Sequence, residues 1–429
     1  MKNVIVLLVD ALRFDCILGY PAHGRDYTGL VEDYQTPTMS HIMDRGVVFS
    51  DCWTTHPYTS GACGSLATGR FPYKLGCSFN FVDSLLPHDI PTVGELLQRK
   101  GVTVKHHFDF QPFSHLYGLE RGVDEVTYWD TERDANVIQW AKDQKNPFYL
   151  LWHLGDVHSP YLQSWDDPNG NEYYIGYMSA VMDEMGIKGE RTLQNFWNKS
   201  AFEIYPHWRE HSIERLIKLY VQGVQKFDTG RMARIWRGFQ NLGILDDTLI
   251  VLMADHGEEF RQKFAGHGFS LHEDLLRIPL VLYHHTLSHR VESNMVRIVD
   301  VPTTILSIFE AETWGTDGVN LLNPVSNDLM GYAERVEPFM CEYDKKNSVK
   351  IKEQAARIRR RKLNQGTTGE AGNYIVDGSH EVTTNEEWSD LREFLRSVNT
   401  GRILSPVLKD TPQEDIDNIM KKMRELGYV

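Results

Sequence analysis

Uninterrupted apolar runs alternate with helical spacing along this chain. The first run, NVIVLLVD at residues 3–10, is apolar at every position from Val4 to Val9. A strand with one wet face would alternate, so an unbroken run fits a parallel sheet covered on both sides. Similar runs recur at FYLLWHLGD (148–156), DTLIVLMADHGE (247–258) and IPLVLYH (278–284). Between them, TVGELLQRKG (92–101) and SIERLIKLYVQGVQKFDTGRMARIWRGFQNLG (212–243) read as helices. Strands alternating with helices predict an α/β fold, with a mostly parallel central sheet flanked by helices.

Three of these runs end in an aspartate: Asp10, Asp156 and Asp255. A single such residue is as readily a helix cap. Open α/β sheets bind ligands beyond the carboxyl ends of their strands, so three acids at three strand ends predict a shared site.

The pattern weakens at 162–211, an aromatic- and Asn-rich stretch without strand signal. It is expected to be an insertion near the site, a lid or substrate-binding wall, with a packed helical excursion as the alternative. The character changes again near 331, which divides the chain into a catalytic domain, 1–330, and a smaller C-terminal subdomain, 331–429. Within the latter, 345–373 is basic and then Gly-rich. Its IRRRK could contact phosphate, although a solvated helix face or loop is the commoner meaning. Thr411-Pro412 opens a closing amphipathic helix.

Composition narrows the function classes. The net charge of −14 over 429 residues argues against nucleic-acid binding. Five cysteines (Cys16, Cys52, Cys63, Cys77 and Cys341) form neither a zinc pattern nor a disulfide framework. Reduced thiols fit a cytosolic setting. The N-terminal run ends at Asp10 without a small-residue cleavage site, and no stretch reaches the roughly 18 apolar residues of a membrane span. A cytoplasmic protein without nucleic-acid or membrane partners is expected, with homo-oligomerisation left open.

The sharpest motif is MADHGEEF at 253–260. An Asp-His pair directly after an apolar strand brings a carboxylate and an imidazole to one strand end, and both suit a divalent metal. Other segments share a pattern with it. VIVLLVDALRFD (4–15), the stretch from TPTMSHIMDRG to HPYTSGACGSLATGRFPYKLG (36–76), GDVHSPY (155–161), and ADHGEEF followed by GHGFSLHEDLLRIPLVLY (266–283) together resemble the sulfatase-like branch of the alkaline phosphatase superfamily. IVDVPTTIL, DGVNLL and the closing RELGYV fit its later landmarks.

The resemblance implies an alkaline phosphatase/sulfatase-like fold and one divalent ion, or two, of Mn, Zn, Mg or Ca. Asp10, Asp255, His256 and Thr59 would be its protein ligands. Many sulfatases have a second Asp after the first, where this chain has Ala11. His158 and His267 would lie on the substrate side. There they could hold the transferred group, protonate a leaving group, or bind a second metal with Asp156.

Aligning LATGR on the family's Leu-Thr-Gly-Arg puts Thr59 where a sulfatase carries the Cys or Ser that matures to formylglycine. The Pro and Arg of that maturation motif are absent, and Cys63 stands in place of the Arg. Lys74, Lys105, His106 and Arg70 are candidates to supply the missing charge. A hydrated aldehyde can eliminate sulfate through its second hydroxyl, whereas threonine has only one. Its ester must be cleaved by water attacking the transferred group, a normal second half-reaction at phosphorus. The expected activity is metal-dependent hydrolysis of phosphate esters (phosphodiester, phosphonate or monoester) through a phosphothreonine on Thr59. Substrates would be small-molecule or glycan-linked phosphate or sulfate esters. Sulfate-ester hydrolysis without formylglycine, phosphoryl transfer to another alcohol, and a non-catalytic sulfatase-like binding protein are the alternatives.

Overall fold

The computed structural model describes residues 1–76, 86–109, 118–129, 132–159, 161, 179, 182–190, 213–261, 264–268, 270–313, 315–337, 350–366, 372–377 and 380–400. Cys77, Cys341, most of 162–211 and the closing helix opened by Thr411-Pro412 lie outside these residues.

The apolar runs assemble into one sheet of eight strands. Their order is Arg290–Glu292, Val47–Phe49, Leu280–Tyr283, Thr248–Ala254, Asn3–Val9, Phe148–Leu154, Thr103–Phe108 and Glu125–Tyr128. The last five of these are mutually parallel. Leu280–Tyr283 runs antiparallel between Thr248–Ala254 and Val47–Phe49, so the sheet is mixed on that side. Val4 to Val9 are each 0% exposed, which is why that run lacks the alternation of a half-wet strand.

Helices cover the sheet. Val93–Gln98 opens with a capping box between Thr92 and Glu95, as TVGE promises. The long periodic stretch 212–243 forms Ile213–Phe227 and Ala233–Asn241, joined by a π-helical segment, Asp228–Met232. That segment has two tasks. The Asp228 carboxylate accepts the amides of Thr38 and Met39 at the start of the helix Pro37–Met43, at 3.0 and 2.7 Å. Arg231 turns inward and is buried.

The C-terminal part is a five-stranded antiparallel sheet, Gly331–Glu337, Lys350–Ile358, Arg361–Gly366, Gly372–Asp377 and His380–Thr384, followed by the helix Ser389–Thr400. Tyr332, Ala356, Leu363, Leu391 and Leu395 join the same hydrophobic core as the main sheet. The IRRRK run is neither a solvated helix face nor a loop. It is a strand–turn–strand in which Arg359 adopts φ 52°. Its cations meet acids of this chain: Arg359 pairs with Asp328, Arg361 with Asp390, and buried Lys362 with Glu273 and Glu381.

Candidate active site

Sheet register decides which side chains meet. Val9 lies opposite Ala254 on one side and Leu154 on the other. The next residues, Asp10 and Asp255, therefore leave adjacent parallel strands at the same edge. Ala11 follows in the left-handed region, with φ 58°, and its amide donates to Asp255 Oδ1 at 3.2 Å. Strain of this kind persists where the surroundings over-determine it. His256 comes next to Asp255, and Gly257 lets the chain turn against the segment 273–276. A Cβ on Gly257 would lie 2.0 Å from the Asp274 carbonyl oxygen.

Thr59 is the first residue of the helix Thr59–Thr68, with Tyr58 at the N-cap and Gly69 closing it at φ 67°. Its Oγ1 stands 3.4 Å from Asp10 Oδ2 and 3.2 Å from His256 Nε2. His256 Nε2 is also 3.6 Å from both Asp10 Oδ1 and Asp255 Oδ2. The four residues expected around the metal thus converge.

The donor set fits a divalent cation. Asp10, Asp255 and His256 each offer an atom within 4.8 Å of the others, and all three are buried. Asp10 Oδ1 and Asp255 Oδ2 are buried without a hydrogen-bond partner. Leaving carboxylate oxygens dry and unpaired is costly unless a cation compensates them. His256 Nδ1 is 2.8 Å from the Gly257 carbonyl, to which it donates. That bond leaves the Nε2 lone pair for the carboxylate side, the arrangement of a metal-ligating imidazole held by a backbone carbonyl.

Further imidazoles ring this cluster. His267 lies with its ring 4.6 Å from that of His256 and 4.9 Å from that of His158. His267 Nδ1 faces Glu258 Oε1 at 3.1 Å, and His158 Nδ1 faces the Ser159 carbonyl at 2.6 Å. Burial opposes protonation of His267, but the carboxylates of Glu258, Asp10 and Asp255 together outweigh it and push the imidazole up to about 9. Burial lowers His158, with His267 adding to the effect against the pull of Asp10. Asp10 is raised by burial, yet His158, His153 and His256 together hold it far below the usual carboxylate range.

Two members of this shell escaped the sequence reading. His153 Nε2 is 3.1 Å from Asp10 Oδ2, and Glu258 holds His267. His153 lies opposite Leu8, two residues before Asp10, so strand alternation puts it on Asp10's face. Glu258 was in view within ADHGEEF, but its partner lies nine residues on.

Other candidates are engaged elsewhere. Asp156 is not brought to the cluster, because buried Arg231 binds its Oδ2 at 2.7 Å and also holds Asp109 and Asp134. Burial first, and crowding by Asp109 next, raise the Asp156 carboxyl against the pull of Arg231. Lys105 is spent on Glu125 and Glu132, and Lys74 on Asp317. Arg70 lies against Gly315. His106 is buried in the wall behind Thr59, where desolvation lowers it to about 3, so it supplies no charge at neutral pH. Among the described residues, no helix is long and apolar enough to cross a membrane.

A choline-sulfatase of Rhizobium meliloti (strain 1021) is 21% identical over 400 residues, covering 80% of this chain and 74% of its own. An endo-4-O-sulfatase of Bacteroides thetaiotaomicron is 20% identical over 368 residues, covering 71% of this chain and 69% of its own. The phosphonate monoester hydrolase of Silicibacter pomeroyi superposes with a TM-score of 0.64 at 16% identity, over 95% of this chain and 96% of that one. The phosphonate monoester hydrolase of Agrobacterium radiobacter gives a TM-score of 0.63 at 16% identity, over 93% and 96% of the two chains. These superpositions show that the chain shares its fold with those two hydrolases. Residues 2–311 match the family described as Sulfatase, most of the chain and all of the cluster above, and the protein belongs to that family.

Proposed function

We propose that the protein hydrolyses phosphate esters by transferring the phosphoryl group to Thr59 and then to water. The observation that carries this reading is the Thr59 hydroxyl at 3.2 Å from Nε2 of His256, beside two unpaired carboxylate oxygens. A divalent ion held by Asp10, Asp255, His256 and Thr59 would acidify that hydroxyl and neutralise phosphoryl oxygens.

The chain's own groups divide the remaining work. Thr59 Oγ1, its proton given up to solvent as a bound ion would favour, forms a bond to phosphorus as the bond to the leaving alcohol breaks in line. The alcohol departs with that electron pair and needs a proton or a counter-charge. His267, with Nδ1 committed to Glu258, carries a proton on Nε2 that it can deliver. The amides at the start of the helix Thr59–Thr68 favour the negative oxygens around phosphorus. His267, left neutral, takes a proton from the water that attacks phosphorus from the side the alcohol left, and the Thr59 oxygen leaves as the alkoxide it began as.

Thr59→Ala should lower phosphodiesterase turnover by roughly three orders of magnitude or more, while divalent ions still bind at reduced affinity. Acid-quenched wild type should carry phosphate on Thr59 by mass spectrometry. Near-normal turnover by the variant removes Thr59 from the mechanism.

A second reading, sulfate-ester hydrolysis, is favoured by the names of the relatives, which include a choline-sulfatase and an endo-4-O-sulfatase. Rates on 4-nitrophenyl sulfate against 4-nitrophenyl phosphate and bis(4-nitrophenyl) phosphate separate the two.

A further inference from the structure

Beside Thr59 the fold leaves a cavity that opens to solvent. Its roof is the helix Thr59–Thr68. Every residue of that helix is buried except Thr59, Cys63 and Ala67. These three are four residues apart, hence on one helical face, and all three line the cavity. Its floor is one face of two neighbouring parallel strands. Leu151 and His153 alternate inward on one, and His106 and Phe108 on the other. His153 also holds Asp10, so the cavity begins at the catalytic cluster.

The lining has a definite chemistry. Among the described residues, no lysine, arginine, aspartate or glutamate lines it. Cys63 occupies the place where the formylglycine motif carries an arginine, and it brings a thiol in place of that fixed charge. His106 is buried, and its Nδ1 has no hydrogen-bond partner. Desolvation also keeps that imidazole neutral. The space beside the acceptor hydroxyl is therefore largely apolar, with the imidazoles of His106 and His153 and the side chain of Tyr149 among its lining.

Stereochemistry restricts what such a space can hold. In-line transfer puts the leaving alcohol opposite Thr59, away from Thr59's own helix. A cavity flanking Thr59 can take only a substituent that stays on the central atom. Sulfate esters and phosphate monoesters have none, because their other positions are oxygens. We propose that the cavity binds an apolar group retained on phosphorus, making the substrate a phosphodiester or phosphonate monoester with a hydrophobic non-leaving substituent. This rests on the reading of Thr59 as the phosphoryl acceptor. The retained group stays on phosphorus in the Thr59 ester, and water releases it as a phosphate monoester or a phosphonic acid, after the alcohol has left.

The test varies the retained group at constant leaving group, using 4-nitrophenyl esters of methyl-, butyl- and hexylphosphonic acid. Wild-type kcat/KM should rise about fourfold per buried methylene, and the hexyl-to-methyl ratio should fall in Ala67→Leu. Turnover with a flat or falling series overturns the cavity assignment and leaves the phosphoryl reading intact. Turnover of 4-nitrophenyl sulfate alone overturns the phosphoryl reading. Calorimetry with hexylphosphonate and methylphosphonate judges the cavity without turnover. A hexyl preference that Ala67→Leu reduces supports it, and equal dissociation constants in wild type overturn it.

Discussion

His153 Nε2 donates to Asp10 Oδ2 across two neighbouring parallel strands, at 3.1 Å. The same oxygen is 3.4 Å from the Thr59 hydroxyl. The bond fixes the rotamer that turns Asp10 Oδ1 toward His256, and although burial lowers the His153 imidazole, the bond and charge of Asp10 raise it on balance. His153→Phe should weaken divalent-ion affinity by roughly 10- to 100-fold, as loss of an outer partner of a ligand does elsewhere. Metal titration followed by calorimetry checks this. Unchanged affinity would make His153 a packing residue only.

Removing divalent ions should both stop turnover and soften the fold. With Asp10 Oδ1 and Asp255 Oδ2 buried and unpaired, an ion at about 100 times its dissociation constant adds roughly 2.7 kcal/mol of stability. Melting curves with chelator and with added manganese, zinc or magnesium should differ by several degrees for wild type. Asp255→Asn should shrink that difference and melt higher than wild type in chelator, because it removes one of the two facing charges.

Arg231 binds three buried carboxylates, those of Asp109, Asp134 and Asp156. Breaking a buried ion pair from one side typically costs about 3–5 kcal/mol, since the charge left behind has no partner. Arg231→Met should cost at least that much at neutral pH by urea denaturation. It should recover part of the loss on acidification, as the stranded carboxylates take up protons. A cost below about 1 kcal/mol would mean that water reaches them.

Two adjacent histidines should make the protein acid-sensitive from near neutrality. Burial lowers His106 from 6.5 to about 3 and His107 from 6.5 to about 4, the latter partly offset by Asp109. Both folded-state values lie below the unfolded one, so the unfolded chain protonates first. Their contribution is whole above about pH 6.5 and shrinks as pH falls from there toward the folded values. Each costs about 1.4 kcal/mol per pH unit within that window. Denaturation of wild type and His106→Phe from pH 7 to 5 should show a shallower loss in the variant, by one proton's worth. Equal slopes would place charge or water beside His106.

Gly257 is required by contact rather than by flexibility. Its missing Cβ leaves room for the Asp274 carbonyl, and its amide bonds to the Leu275 carbonyl at 2.9 Å. Gly257→Ala should displace the turn that carries His256, reducing divalent-ion affinity more than global stability. Matched metal titrations and melts of the variant measure the two effects.

The order of the chain alone determined the α/β class, the strands ending at Asp10 and Asp255, and the candidacy of His256, while Thr59 became a candidate only through the resemblance to a known family. Those features are local: an apolar run buried on both faces declares itself, and a motif sits where its strand ends. Tertiary structure decided everything that depends on which strands are neighbours. It set His153 against Asp10 through the register of Asn3–Val9 with Phe148–Leu154. It withdrew Asp156, which sits at a strand end like the other two acids, because Arg231 arrives from a π-helical segment 75 residues away. It turned IRRRK from a free cationic run into a strand pair whose charges meet Asp328, Asp390, Glu273 and Glu381. The cavity beside Thr59 has no sequence signature, since it is the space left where one helical face and two strand faces fail to touch. Pairing energies and voids belong to distances between segments, and those distances exist only once the chain has folded.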